Sequence, residues 1–332
     1  MHISIAAGVL LAAGVLAAAP GAAQAPAGFD PPRTAGGRPD FGGVWSASFS
    51  TQLERPEGVA DLIVAPERAA EVVKKLTWTP KGVYDPDIEF FVPSALLSIN
   101  GELRSSWLIE PHDGRMPFTS LAHAAFDRSD ELEDYGFDNP EERPASERCI
   151  SGLGHPPLHG ISAVIPSQIV QTPEAIIIAT EDTDSGRIIH LDGQAPPDAM
   201  RTRAGYSAGH WEGDTLIVET THIAAQDPTG IVYRGDVVLT EGSRTTERFR
   251  LISANELLYG FTVTDPALYN RPWFAEYVLN RSDGAVYEYA CHEGNYAMFN
   301  GLLAARIGRQ PDKASVERKK AAAKKADTGS PP

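Results

Sequence analysis

The sequence predicts a mainly β protein, an antiparallel up-and-down β-barrel of about eight to ten strands with one short N-terminal helix. Three observations carry the prediction. Short runs rich in Ile, Val and aromatic residues follow one another from about residue 97 to residue 293, separated by turn residues. No fixed repeat period links them, which argues against a propeller of regular blades. Only "APERAAEVVKKL", residues 65–76, reads as a helix. A two-sheet β-sandwich is the alternative; closure into a barrel has the advantage of leaving no exposed strand edge.

In chain order, "PDFGGVWSASF" supplies a first strand, Gly43 to Phe49. The helix follows, with Pro66 near its first turn, acids early, and Lys74 and Lys75 late, as the helix dipole favours. "SSWLIEPHDGRMPFT" is an apolar run broken at an Asp113-Gly114 turn, and "DNPEERPASERCISGLGHPPLHG" is a Pro- and acid-rich loop. "SQIVQ", "AIIIATED" and "GRIIHLDG" are three Ile- and Val-rich strands. "AGYSAGHWEGDTLIVETTHI" is a strand pair joined at Glu212-Gly213-Asp214. "RTTERFRLI", "ELLYGFTVT", "PWFAEYVLN" and "AVYEYACHE" complete the series, with tight turns at Ser253 to Asn255 and Ser282 to Gly284.

Residues 1–25 read as a signal peptide, because an uncharged apolar run from Ile3 to Ala19 precedes small-residue cleavage sites. The expected organisation is then an irregular lead-in over 26–42, a single β-rich domain over 43–308 and a basic disordered tail over 309–332, solvated, with an envelope-surface tether as the other reading. This predicts a periplasmic or secreted protein with no transmembrane segment beyond the signal. The net charge is −15, with 44 acidic against 29 basic residues, so nucleic acid is excluded as a partner. Two cysteines, Cys149 and Cys291, are the smallest number that an oxidising compartment can pair.

The stretch from Glu147 to Gly294 resembles a large family of exported bacterial proteins. The residues that carry the likeness are "ERCISGLG", "IVQTP", "RIIHLDG", "GHWEGDTLIVETT", "TERF", "DPALYNRPW" and "YEYACHEGN". The resemblance implies export and brings no reaction with it. The opening "GVW" is similar to the first-strand Gly-x-Trp of lipocalin-type barrels, which makes the expected barrel calycin-like.

The candidate chemistry sits at strand ends. In "VYEYACHEGN" alternation puts Tyr287, Tyr289, Cys291 and Glu293 on one face and Val286, Glu288, Ala290 and His292 on the other. Cys291 and His292 are therefore not a nucleophile–base pair, and Cys291 reads as half of a disulfide with Cys149. Glu293 and His292 at the strand end, with His222 following Leu216, Val218 and Thr220 along one face, are the expected catalytic groups. His190 and Asp192 share a face in "RIIHLDG", and with Tyr206, His210 and Trp211 they are the expected ligand-binding residues. The five tryptophans, with Tyr206 and Tyr259, read as cavity lining or core packing.

No paired-histidine helix, cysteine cluster, phosphate-cradling Gly-rich loop or Gly-x-Ser-x-Gly elbow is present, and His155 and His159 lie in a Pro-broken loop. No metal and no cofactor is expected. The sequence thus predicts a small-molecule cavity serving an acid–base enzyme, a lyase, isomerase or hydrolase on a small organic or carbohydrate-like substrate. The alternative is a non-catalytic binding protein for an apolar small molecule.

Overall fold

A computed structural model of the chain describes residues 26–47, 49–76, 95–135, 139–143, 147–150, 154–158, 165–181, 186–225 and 237–308. The expected signal peptide, the basic tail, Trp78 and His159 lie outside the described residues. The strands are β1 (Gly43–Ser46), β2 (Ile63–Val64), β3 (Leu97–Ile99), β4 (Glu102–Arg104), β5 (Leu108–Glu110), β6 (Ser167–Gln171), β7 (Ala175–Thr180), β8 (Gly186–His190), β9 (Tyr206–Glu212), β10 (Thr215–Thr221), β11 (Arg244–Ser253), β12 (Glu256–Thr264) and β13 (Trp273–Ser282). The α-helices are α1 (Ala69–Val73), α2 (Ser120–Tyr135) and α3 (Tyr296–Gly308).

Nine strands close a barrel in the order β1-β6-β7-β8-β9-β10-β11-β12-β13 and back to β1. The closing seam is short. Val44, Trp45 and Ser46 pair with the end of β13 at Ser282, Arg281 and Asn280. The start of the same β13 edge is taken by β5, through Phe274↔Glu110 and Ala275↔Leu108. A separate three-stranded sheet, β2-β4-β3, joins α1 around Val59, Val64, Val72 and Leu96.

The barrel and most strand positions agree with the sequence, and three features correct it. The barrel is mixed, because β8 and β9 run parallel, with Ile189↔Ser207 and His190↔Ala208 in register. A tight turn joins only antiparallel neighbours, so residues 191–205 must carry the chain back before β9 begins. Second, "AVYEYACHE" forms no strand. Both edges of β13 are already occupied, so a following segment has no ladder to join. Third, α2 and α3 appear where no helix is expected, while the expected 65–76 helix shortens to a 3₁₀ turn, Pro66–Arg68, and α1.

Alternation decides what fills the barrel. Phe249, Tyr259 and Tyr277 lie abreast on β11, β12 and β13, with Leu251, Leu257 and Leu279 in the next row. All six are buried, as are Trp45, Ile176, Ile178, Ile189 and Val218 on the strands opposite. Residues 154–158 also enter this core. The Leu158 amide donates to the Tyr259 hydroxyl at 2.9 Å, and the Tyr277 hydroxyl donates to the Leu158 carbonyl at 3.1 Å. Leu158 thus joins the same buried cluster as Tyr259 and Tyr277.

One ion pair spans this interior. Arg187 on β8 meets Glu247 on β11 through two parallel bonds, Nη1–Oε2 at 2.7 Å and Nη2–Oε1 at 2.6 Å, with both side chains buried. The Tyr259 hydroxyl donates to Glu247 Oε1 at 2.6 Å. Burial alone would lower the pKa of an arginine, but the Glu247 charge and its hydrogen bonds outweigh that here, and the Arg187 pKa rises. Burial, then the charge of Glu247, pushes the Tyr259 and Tyr277 phenols well above their usual range.

A pH dependence follows. In the unfolded chain these phenols ionise near pH 10, while in the folded protein they hold their protons, so folding is favoured fully below that pH and progressively less above it. Equilibrium urea unfolding repeated between neutral pH and about pH 11 should give a midpoint that is flat at first and falls above about pH 10.

Candidate functional site

Three of the residues singled out in the sequence meet at one rim of the barrel. β8 ends at His190, β9 starts at Tyr206, and β10 ends opposite Tyr206 at Thr221, followed by His222. The His190 and Tyr206 rings stack, with centroids 4.9 Å apart and planes 14° from parallel. The His222 ring meets Tyr206 edge-on at 6.3 Å. Arg187, Ile189 and Ser207 are the buried, inward members of β8 and β9, which leaves His190 and Tyr206 on the outer face of the wall.

The backbone at His222 explains how the third ring reaches the cluster. Regular alternation would place His222 inward after Thr220. Its φ of +56° breaks that alternation, and Ile223 becomes the fully buried residue while His222 stays at the rim. A left-handed conformation is unusual for a residue with a Cβ, and such residues cluster where function holds them. The conformation is held by bonds on both sides of Thr202, which donates its amide to the His222 carbonyl at 3.1 Å and accepts from the Ala224 amide at 2.8 Å.

The 191–205 crossover covers the cluster, and two glycines let it approach. A Cβ at Gly193 would lie 2.6 Å from the Tyr206 hydroxyl and 2.8 Å from His190 Cβ. Gly205 has φ +69°, and a Cβ there would lie 2.6 Å from the Thr221 carbonyl oxygen. From the same crossover, Asp198 brings Oδ1 to 3.4 Å from His222 Nε2, without hydrogen-bond geometry and with its own side chain in solvent.

His222 Nδ1 lies 2.8 Å from Thr221 Oγ1. When Nδ1–H donates to this hydroxyl, Nε2 carries the lone pair and is a base. His222 Nε2 and the Tyr206 hydroxyl are both buried, and among the described residues neither finds a hydrogen-bond partner. A buried phenol and a buried imidazole nitrogen without partners are the exception in folded proteins, since leaving each unmade costs about 1–3 kcal/mol. The cluster thus holds one imidazole nitrogen and one phenol hydroxyl whose hydrogen-bonding capacity is unused among the described residues.

The remaining expected site residues lie elsewhere. Asp192 is exposed. His210 and Trp211 sit near the far end of β9, about 13–17 Å along the strand from Tyr206. His210 is exposed, 3.4 Å from Glu212, while Trp211 packs against Phe41 at 5.2 Å with Arg38 over its ring. His292 and Glu293 are exposed in the turn after Cys291, because the strand that would have aimed them is absent. Among the described residues no hydrogen bond or ion pair joins them to His222. The Cys149–Cys291 disulfide is formed, with Cα atoms 5.7 Å apart.

Sequence reasoning missed Asp198, which has no local signal in a Pro-rich connection. It also missed the Arg187–Glu247 pair, although both residues occupy inward positions of alternating strands, where a charge demands a partner. Among the described residues no group of three or more His, Cys, Asp or Glu is placed to hold a metal ion, and no helix is long and apolar enough to cross a membrane. No protein-family model matches the chain, and no curated protein sequence matches it.

Proposed function

We propose that the protein works outside the cytoplasm as an acid–base enzyme, a lyase, isomerase or hydrolase on a small oxygenated organic or carbohydrate-like molecule. His222 is the proton-transferring group, Tyr206 its hydroxyl partner and His190 the ring that positions Tyr206. One observation carries this reading: the Tyr206 hydroxyl and His222 Nε2 are buried without hydrogen-bond partners, on rings whose centroids lie 6.3 Å apart, with His222 held at φ +56°. In the step envisaged, neutral His222 takes a proton from a substrate C–H or O–H through Nε2, and the Tyr206 O–H stabilises the oxygen on which charge develops. Export is supported by the disulfide, which persists in oxidising compartments. The alternative, a carrier of apolar molecules, would use the barrel interior, where Leu158 packs with Tyr259 and Tyr277.

The reading is tested with a panel of small hydroxy acids, sugar acids and sugars added to the purified protein. A compound that fits should raise the melting temperature of the wild type, and this rise should vanish in His222→Gln and Tyr206→Phe, both folded by circular dichroism. A thermal shift that both variants retain would sink the assignment. Stabilisation by a hydrophobic dye alone, with no panel compound active, would favour the carrier.

A further inference from the structure

The two polar atoms at the rim that lack partners are shut off from solvent. The Tyr206 hydroxyl and His222 Nε2 are both buried, although neither residue belongs to the hydrophobic core. One stretch of the crossover, residues 192–200, lies against both. Gly193 passes so near Tyr206 that a Cβ on it would come within 2.6 Å of the hydroxyl. Asp198 Oδ1 stands 3.4 Å from His222 Nε2. No small molecule reaches either atom while the rim keeps this conformation.

The same stretch is hydrogen-bonded to the barrel only at its ends. Before it, the Leu191 amide donates to the Glu174 carbonyl at 2.9 Å. After it, Arg201 pairs with Glu241 at 3.2 Å and the Thr202 amide donates to the His222 carbonyl at 3.1 Å. Between these anchors, the one hydrogen bond among the described residues is internal, from the Met200 amide to the Pro197 carbonyl at 2.8 Å. Every residue of the stretch except Pro196 is exposed, so it buries almost no apolar side chain of its own. The barrel strands beneath are paired along both edges. Lifting the stretch therefore costs far less than unfolding the wall it covers, and segments of this kind open locally while the rest of a fold stays intact.

We infer that residues 192–200 form a strap that opens to admit a substrate to the His190–Tyr206–His222 rim and closes over it. Gly193 lets the closed strap lie directly on Tyr206, and Asp198 is its contact with His222. Closure keeps water from Nε2 and the phenol, which strengthens the hydrogen bonds they make to a bound molecule. The inference rests on the proposed function only in taking the rim as the reaction site. The opening itself is a property of the chain and is measured with no substrate present.

The test is carbethoxylation by diethyl pyrocarbonate, which attacks a neutral imidazole at its free nitrogen, with each modified histidine located by tandem mass spectrometry. His112 and His210, whose side chains are 83% and 58% exposed, are references within the same molecule. In the wild type His222 should react about 10- to 100-fold more slowly than either, yet faster than the global unfolding equilibrium allows. Gly193→Ala should raise its rate about tenfold or more, because the added methyl overlaps the Tyr206 hydroxyl and props the strap off the rim. Gly193 has no positive φ, so alanine strains no backbone there and the circular dichroism should be that of the wild type. Pro196→Gly/Pro197→Gly should raise the rate about threefold or more by widening the freedom of the open strap. His112 should react alike in all three proteins. Three results would overturn the inference: His222 as reactive as the references in the wild type, His222 protected down to the limit set by global unfolding, or a rate unchanged in either folded variant. Rates that rise in both variants of a protein that transfers no proton would keep the strap and remove the enzyme.

Discussion

Replacing Glu247 by Gln should destabilise the fold by about 3–5 kcal/mol, the largest effect expected of any single side chain in the barrel. The amide keeps the shape of the carboxylate but leaves the buried Arg187 guanidinium without a counter-charge, in a core where both side chains exclude solvent. Arg187→Met should cost a similar amount, since it strands the carboxylate instead. The double variant Arg187→Met/Glu247→Leu should be less damaged than the sum of its parts, because no unpaired charge remains. Urea unfolding followed by circular dichroism measures all three. Additive losses would mean that the two residues act independently, contrary to the bidentate geometry at 2.6 and 2.7 Å.

Opening the Cys149–Cys291 bridge should have an effect of comparable size. The bridge closes a separation of 142 residues, and the chain-entropy treatment assigns such a loop about 4–5 kcal/mol. Its position adds a structural consequence. Cys149 is buried, and Asn295 Nδ2 donates to the nearby Glu147 carbonyl at 2.7 Å. The bridge therefore fixes residues 147–149 against the turn that precedes α3. Cys149→Ser/Cys291→Ser should unfold at a markedly lower urea concentration than the oxidised wild type. Alkylation of the unreduced wild type should find no free thiol. Wild type and variant of equal stability would remove the bridge from the account.

The strands were legible wherever period-two alternation was enforced by two buried neighbours. "SQIVQ" became β6, residues 167–171, and the Gly213 turn fell between β9 and β10, because both signals are local. The parallel β8–β9 pair was not legible, since nothing in "LDGQAPPDAM" states which way the chain returns. The failure at "AVYEYACHE" has a different cause. Its local pattern is that of a strand, but strand formation depends on a free edge, and closure of the barrel onto β1 and β5 had consumed the edges of β13. The two extra helices did leave signals. Thr119 caps α2 by accepting from the Ala122 amide, and Ala122, Phe126, Ser129 and Leu132 repeat at helical spacing on its buried side. Asn295 does the same for α3, accepting from the Met298 amide.

Of the candidate site, His190, Tyr206 and His222 were visible as residue types at strand ends. Their meeting was not, because it depends on a left-handed backbone at His222 that no pattern of side chains announces. Glu293 and His292 were selected by an alternation that does not exist there. The common lesson is physical: alternation places a residue only as far as the ladder continues, and sites form where ladders stop.

The central claim is that His222 moves a proton at this rim, and solvent deuterium tests it most directly. A compound that the protein binds is incubated with it in deuterium oxide and followed by proton NMR. When His222 removes a substrate proton, the base exchanges it with solvent, and a deuteron returns to the same carbon or appears in the product. The account predicts deuterium incorporation by the wild type, incorporation reduced by a factor of about 100 or more in His222→Gln, and incorporation near the wild-type rate in Glu293→Gln. Incorporation undiminished in folded His222→Gln, or abolished by Glu293→Gln with His222 intact, would contradict it.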